Sequence, residues 1–433
     1  MNHPSKSATP GSGHAAAAGP RANAAGSRLD RWHGHYAERA RGMVASEVRA
    51  LFAVASRPEI VSLAGGMPFV SALPMEQLGE LMADLVNTRG AEALQYGSAQ
   101  GDPGLREQIC RVMALEGIEA EPDNVVVTVG SQQALDLVAR IMLDPGDVVV
   151  TEAPTYVTAI ATFAAYQARL AQVAMDEDGI IPEALAETLA TLDGRVKLLY
   201  TVPTFQNPAG VTLSGARRAQ VLDICRRANV LVVEDNPYGL LALDGEPMRA
   251  LRADAPDDVV YLGSFSKTLA PGLRVGWALA PPAVRDRLVL AAESAMLSHS
   301  AFAQLAVERY LATQPWAEQL KGFRELYRDR RDAMLDALAE HMPAGVRWTE
   351  PRGGFFVWVT LPPGLDSKAM LPSAIGARVA YVPGTGFYAD GGGRANLRLS
   401  FCYPTPERIR EGVARLAEVV TGELELRSAF GAP

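Results

Sequence analysis

Between residues 124 and 280, short apolar runs rich in Val and Leu alternate with stretches of helical pattern. This alternation restricts the fold more than any other feature of the chain. The runs are Asn124–Val129, Asp147–Thr151, Arg169–Ala174, Val196–Thr201, Val230–Glu234, Val259–Gly263 and Val275–Ala280. Most of them are apolar on both faces, which suits a sheet covered by helices above and below. Helical stretches at 132–142, 183–192 and 215–228 supply the cover. Strand and helix in alternation predict an α/β fold with an open, mostly parallel sheet of seven strands. Ligands of such sheets bind beyond the carboxyl ends of the strands, so residues that carry chemistry are expected just after each run.

The texture changes after about residue 300. A helical pattern runs from 301 to 340 and breaks near Pro315. Strand-like stretches follow at 353–361, 377–382 and 396–401, then a helix at 405–420. This order predicts a smaller α+β domain. The expected organisation is a disordered tail over residues 1–30, rich in Ala, Gly, Pro, Ser and Asn, and a helical segment over 31–65 that packs on the small domain and the active site. A large α/β domain over 66–310 and a small domain over 311–433 complete it.

Composition excludes several functions. The chain carries 41 Lys and Arg against 49 Asp and Glu, a net charge of −8, with no basic block to meet a nucleic-acid backbone. Its apolar runs are too short to span a bilayer. The three cysteines, Cys110, Cys225 and Cys402, are odd in number and lack metal-ligand spacing, which predicts buried thiols in a reducing, cytoplasmic setting. Four of the six histidines fall within the first 35 residues, leaving only His299 and His341 for the folded body. No metal site is expected.

Five clusters stand where the sheet predicts chemistry. Thr128-Val129-Gly130-Ser131-Gln132 passes from strand into helix, and a helix N-terminus offers free N–H groups to a phosphate. Tyr156 follows the second run as a stacking ring or a core residue. Asn207 sits in a Pro-flanked loop after Tyr200-Thr201, as turn chemistry or as a ligand amide. Asp235 ends a buried strand with Tyr238 three residues on, as a helix or turn cap or as a partner for a protonated ring nitrogen. Ser264-Phe265-Ser266-Lys267 lies between two strands, with Arg274 seven residues beyond the lysine. A partly desolvated lysine is a nucleophile able to form a Schiff base, and Ser264, Ser266 and Arg274 together suit a phosphate.

In this order and combination, the motifs form the full inventory for pyridoxal phosphate, and from about residue 40 to 420 the chain resembles the fold-type I aminotransferases of class I/II. The resemblance implies that Lys267 is the Schiff-base lysine, Asp235 the partner of the pyridinium nitrogen, and Tyr156 the ring stacked on the cofactor. Tyr238 and Asn207 are implied to bond the ring hydroxyl. Ser131 and Gln132, with Ser264, Ser266 and Arg274, are implied to form the phosphate cup. Tyr96, in Gln95-Tyr96-Gly97, is similar to a tyrosine that reaches the phosphate from the other subunit, so a homodimer with shared sites is implied. Arg398, in Asn396-Leu397-Arg398-Leu399-Ser400, matches the arginine that clamps the substrate α-carboxylate.

Ala45-Ser46-Glu47-Val48-Arg49 and Ser62-Leu63-Ala64-Gly65-Gly66-Met67-Pro68 resemble the 2-aminoadipate branch, which also holds kynurenine, aromatic and branched-chain transaminases. There Ser46 and Arg49 match positions facing substrate on a mobile N-terminal helix, and Gly66 matches the loop beneath it. Arg49 is placed to pair with a distal carboxylate, or is an ordinary surface charge. Phe355, Phe356 and Tyr388 are further candidates for the side-chain pocket. The expected activity is ping-pong amino transfer between an L-amino acid and a 2-oxo acid such as 2-oxoglutarate. A β-lyase or decarboxylase on the same fold is the nearest alternative. A cofactor-binding regulator is disfavoured, since the first 40 residues leave no room for a winged helix.

Overall fold

The structure, a computed structural model, describes residues 30–41, 43, 57–192 and 194–430. Its strands in chain order are β1 (Val61–Ser62), β2 (Val125–Thr128), β3 (Val148–Ala153), β4 (Arg169–Asp176), β5 (Gly179–Ile180), β6 (Val196–Thr201), β7 (Leu231–Asp235), β8 (Val259–Ser264), β9 (Gly276–Leu279), β10 (Arg347–Trp348), β11 (Phe356–Thr360), β12 (Val379–Ala380), β13 (Val382–Pro383) and β14 (Asn396–Ser400). The large sheet has the order β2-β9-β8-β7-β6-β3-β4-β5. The seven expected strands are all present, and the two-residue β5 adds an eighth by folding back antiparallel on β4. β9 runs antiparallel to both its neighbours, and the pairs from β8 to β4 are parallel.

Burial explains why these strands lack polar alternation. Val149, Leu198, Val233 and Val260 enter one core, and Val148, Val150, Leu199, Val232 and Val259 enter another. Successive side chains point to opposite faces, so two covered faces demand an apolar residue at nearly every position. The helices Ser131–Met142, Pro182–Thr191 and Gly215–Arg227 lie where helical pattern was expected. Met75–Ala93, Pro103–Ala114, Val157–Ala165, Pro282–Met296 and Ser367–Gly376 are helices that the strand-and-helix reading did not single out.

A second, antiparallel sheet has the order β10-β11-β14-β13. The long helical pattern divides at Pro315 into Ala301–Thr313 and Trp316–His341, because proline cannot continue a helix but can precede one. The stretch expected as one strand over 377–382 is split. β12 pairs parallel with β1, and β13 pairs with β14. Pro383 lacks an N–H, and β13 accordingly takes an edge of its sheet. The described part of the helical segment expected at 31–65 comprises a 3₁₀ turn, His33–His35, and a single helical turn, Glu38–Arg41, against the helix Val157–Ala165; β1 then joins β12. Among the described residues, no helix is long and apolar enough to cross a membrane. Cys225 and Cys402 are buried free thiols, and Cys110 is half-buried.

Gly263, near the end of β8, has no room for a side chain: a Cβ there would lie 2.2 Å from the Trp277 ring. Gly263→Ala is expected to cost about 1–3 kcal/mol by overpacking. Urea denaturation of the two proteins measures it, and an unchanged midpoint would mean that β8 and β9 yield more easily than their packing indicates.

Candidate active site

Five strands of the large sheet, β2, β3, β6, β7 and β8, end toward one cavity of about 490 Å³. Residues at their carboxyl ends or just beyond line it: Ser131 and Gln132, Tyr156, Asn207, Asp235 with Tyr238, and Ser264, Ser266 and Lys267. Arg274, Gly66 and Arg398 complete the wall. A larger cavity of about 720 Å³, lined by Asp178, Phe205, Asp244 and Trp348 among others, shares none of these residues and holds no lysine.

Asp235 closes β7 with its carboxylate buried. Tyr200 O–H donates to Oδ2 at 2.7 Å, while Oδ1 is buried without a partner. Desolvation pushes the group up to about 6, against the pull of the Tyr200 hydrogen bond. A buried acceptor without a donor is costly in an otherwise satisfied interior, and Asp235 lines the cavity, where a protonated ring nitrogen would satisfy it.

Lys267 follows β8. Burial, with Arg398 and Arg274 nearby, lowers its amine to about 8, so a useful fraction is neutral near physiological pH. Its Nζ donates to the Gly66 carbonyl at 2.8 Å.

The cup opposite is built from short-range contacts. The helix Ser131–Met142 begins at Gly130, which holds φ +74°, so its first N–H groups and positive dipole end open on the cavity. The Ser264 and Ser266 hydroxyls lie 2.8 Å apart, and Arg274 Nη1 donates to Ser266 at 3.4 Å. Arg274 Nη2 is fixed on the Val129 carbonyl at 2.8 Å. A Cβ at Gly130 would meet that nitrogen at 2.5 Å, so a side chain there would displace the arginine. Gln132 donates to Thr162 at 2.8 Å, and its carbonyl oxygen is buried and unpaired. Two hydroxyls, a guanidinium and a helix N-terminus make an anion site of phosphate size.

Arg398 reaches the cavity from β14 in the small sheet. Its Nη1 donates to Asn207 Oδ1 at 2.8 Å and its Nη2 to the Ala64 carbonyl at 2.9 Å. Nε is buried without a partner. The guanidinium lies 4.1 Å from the Phe356 ring centre and 5.1 Å from that of Phe387. Burial lowers it to about 10. It remains a cation at neutral pH, held between rings, with donors left for a planar carboxylate. Tyr238 packs edge-on against Phe355 and Phe356, and burial raises its phenol and that of Tyr156, so both stay protonated donors.

The cavity thus holds an anion cup, an amine of lowered basicity, an unpaired buried carboxylate oxygen and a second, separate guanidinium. The family model for aminotransferase class I and II matches residues 64–416. The chain belongs to the class I and II aminotransferases. It is 42% identical to the aromatic-amino-acid aminotransferase 1 of Thermococcus litoralis over 90% of this chain and 95% of that one. The structure of Pyrococcus horikoshii kynurenine aminotransferase, in complex with PMP and with KYN and KYA as substrates and products, superposes with a TM-score of 0.87 at 42% identity, covering 92% of this chain and 99% of that one. The α-aminoadipate aminotransferase of Thermus thermophilus, complexed with N-(5'-phosphopyridoxyl)-L-leucine, gives 0.85 at 37% identity, covering 91% and 99%.

The aminotransferase cofactor is pyridoxal phosphate, and the residues fit it: the orphaned Asp235 oxygen for the ring nitrogen, the cup for the phosphate, Lys267 for the aldehyde. Of the expected site and pocket residues, thirteen line the cavity, Phe356 among them. Phe355, Tyr388 and Tyr96 do not, and Tyr96 is 77% exposed on this chain. Ser46 and Arg49 lie outside the described residues. Two functional neighbours went unmarked in sequence. Tyr200 reads as one more apolar strand residue, and only the pairing of β6 with β7 brings it to Asp235. Glu152 is a buried carboxylate that accepts from Gln206 Nε2 at 2.9 Å, and the same nitrogen donates to the Pro154 carbonyl at 2.8 Å. It thereby ties the Tyr156 loop to the Asn207 loop.

Removing the Tyr200 hydroxyl takes a hydrogen bond from the charged form of Asp235, so its pKa rises. In Tyr200→Phe the acid limb of the pH–rate profile is therefore expected to move to higher pH, with kcat/KM at neutral pH roughly tenfold lower. Steady-state kinetics across pH measure it, and an unmoved limb would show that Tyr200 does not tune Asp235.

Proposed function

We propose that this aminotransferase moves the α-amino group of an L-amino acid of the aromatic, branched-chain or 2-aminoadipate type to a 2-oxo acid such as 2-oxoglutarate, in a ping-pong cycle. The observation that carries this reading is Arg398. Among the described residues lining the cavity, the cations are Lys267, Arg274 and Arg398. Arg274 belongs to the anion cup, which leaves one guanidinium for an α-carboxylate. Donor and acceptor both carry that carboxylate, so they occupy the site in turn.

Each residue has a distinct task in this reading. Arg398, braced by Asn207, orients the substrate through its carboxylate. Ser131, Gln132, Ser264, Ser266 and Arg274 hold the phosphate, and Tyr156, Asn207 and Tyr238 position the ring. Bound there, pyridoxal phosphate supplies an electron sink for the bond broken at the substrate Cα. Asp235 keeps the proton on the ring nitrogen. Lys267 takes the proton from Cα as a base and returns it as an acid, work suited to an amine lowered to about 8. Tyr96, exposed on its own chain, serves the phosphate of a second copy in a homodimer with shared sites.

The apolar residues lining the cavity include Met67, Val157, Val202 and Phe356, the last against Gly66, which favours a donor with a large neutral side chain. An acidic donor would rely on Arg49 for its distal carboxylate.

Lys267→Ala is expected to abolish turnover while the protein still binds cofactor; steady-state activity retained by this variant would sink the scheme. For the wild type, single-turnover spectra of the bound cofactor with individual amino acids rank the donors. Leucine or an aromatic amino acid should convert it without any oxo acid present. If no amino acid does so alone, the ping-pong reading is wrong.

A further inference from the structure

The carbonyls of residues 63–67 are taken up one after another by the site. Leu63 O accepts from the Ser400 amide at 2.8 Å, Ala64 O from Arg398, and Gly66 O from Lys267. The two carbonyls on either side of Gly66 go to a single atom. Cys402 Sγ lies 3.1 Å from Met67 O and 3.6 Å from Gly65 O. The Ser400 hydroxyl stands 3.2 Å from the same sulfur.

A buried cysteine is most simply a small apolar filler. Cys225 fits that description, packed with Val221, Leu222, Val230 and Val232. Cys402 does not, because its sulfur is surrounded by three polar groups. Burial raises its pKa, so it stays an S–H donor rather than a thiolate. The thiol's single proton goes to Met67 O, the nearer acceptor, with Gly65 O the alternative, and the Ser400 hydroxyl can donate to the sulfur. Gly66 itself is pressed against Phe356: a Cβ would lie 2.9 Å from that ring. Farther along, Tyr327 O–H accepts from the Phe69 amide at 3.0 Å, and Arg330 lies 4.3 Å from the Phe69 ring while donating to the Cys402 carbonyl. The loop is anchored on both sides, and the thiol lies against the carbonyls that flank its central residue, Gly66.

We propose that Cys402 is a positioning residue for amino transfer: its thiol aims the Gly66 carbonyl at Lys267 and so sets where the lysine amine rests between proton transfers. This rests on the role given to Lys267 above. The carbonyl favours the charged amine, whereas burial and the guanidinium groups of Arg398, from β14, and Arg274, from the loop before β9, favour the neutral one. Asp235, Tyr156 and Tyr238 share the cavity, the two phenols protonated. Without the thiol the carbonyl is free to turn, the ammonium loses its acceptor, and Lys267 titrates at lower pH.

The test uses Cys402→Ala and Cys402→Ser in the full chain. Competitive acetylation of the cofactor-free protein, followed by mass spectrometry across pH, reads the titration of Lys267 without turnover. Steady-state kinetics of the holoenzyme separate kcat from KM, and thermal unfolding reports stability. The expected result for Cys402→Ala is a lower labelling midpoint and a kcat roughly five- to tenfold down with KM nearly unchanged, the loss of one weak hydrogen bond. Cys402→Ser, which keeps a donor, should restore both. A wild-type labelling midpoint in Cys402→Ala overturns the proposal, whether or not the melting temperature falls, since a purely structural thiol would move stability alone. Failure of the Lys267 role itself shows separately, as turnover in Lys267→Ala.

Discussion

Parallel pairing of β8, β7, β6 and β3 forces their carboxyl ends onto one edge of the sheet, and everything in the site depends on this constraint. Asp235, Asn207, Tyr156 and Lys267 are up to 111 residues apart in sequence (267 − 156) yet share one cavity because each follows a strand of the same direction. Antiparallel β9 brings the chain back beside β8 and places Arg274 across from Gly130. The small sheet contributes from outside this layer, sending Arg398 in from β14.

The site concentrates ionisable groups away from water and leaves selected ones incompletely paired. Asp235 has one oxygen bonded and one orphaned; Arg398 has two nitrogens bonded and Nε orphaned. Elsewhere in the large domain, buried carboxylates are more fully satisfied. Glu234 accepts from the Leu251 and Arg252 amides, and Glu116 from Asn236 and Tyr261. The contrast separates structural from functional burial. An interior carboxylate gains nothing from an unused lone pair, whereas one facing a cavity holds it for a ligand.

Much of this was legible in the chain. The strand Val196–Thr201 is legible to the residue, and the rule that chemistry sits past strand ends singles out Tyr156, Asn207, Asp235 and Lys267, which line one cavity; their roles toward a cofactor come from the resemblance alone. The helices Met75–Ala93 and Val157–Ala165 were not singled out: the first has only three buried residues in nineteen, and the second is apolar enough to read as strand or core. The split of 377–382 between two sheets was also hidden. Both halves are apolar, and only the choice of partner distinguishes them.

What the sequence determined by itself was the α/β layering, the order of the chemical residues, and their types. Each of these is a local property: apolar residues on both faces of a strand, a lysine flanked by hydroxyls, an acid at a strand end. Only the tertiary structure decided which oxygen of Asp235 is bonded and which is left for a ligand. It alone brought Tyr200 to that acid, set Arg398 between Phe356 and Phe387, and placed the Cys402 thiol against the loop that receives Lys267. The reason is physical. These contacts join residues from 11 to 335 positions apart, and their geometry follows from sheet register and domain packing, which no local pattern of side chains encodes.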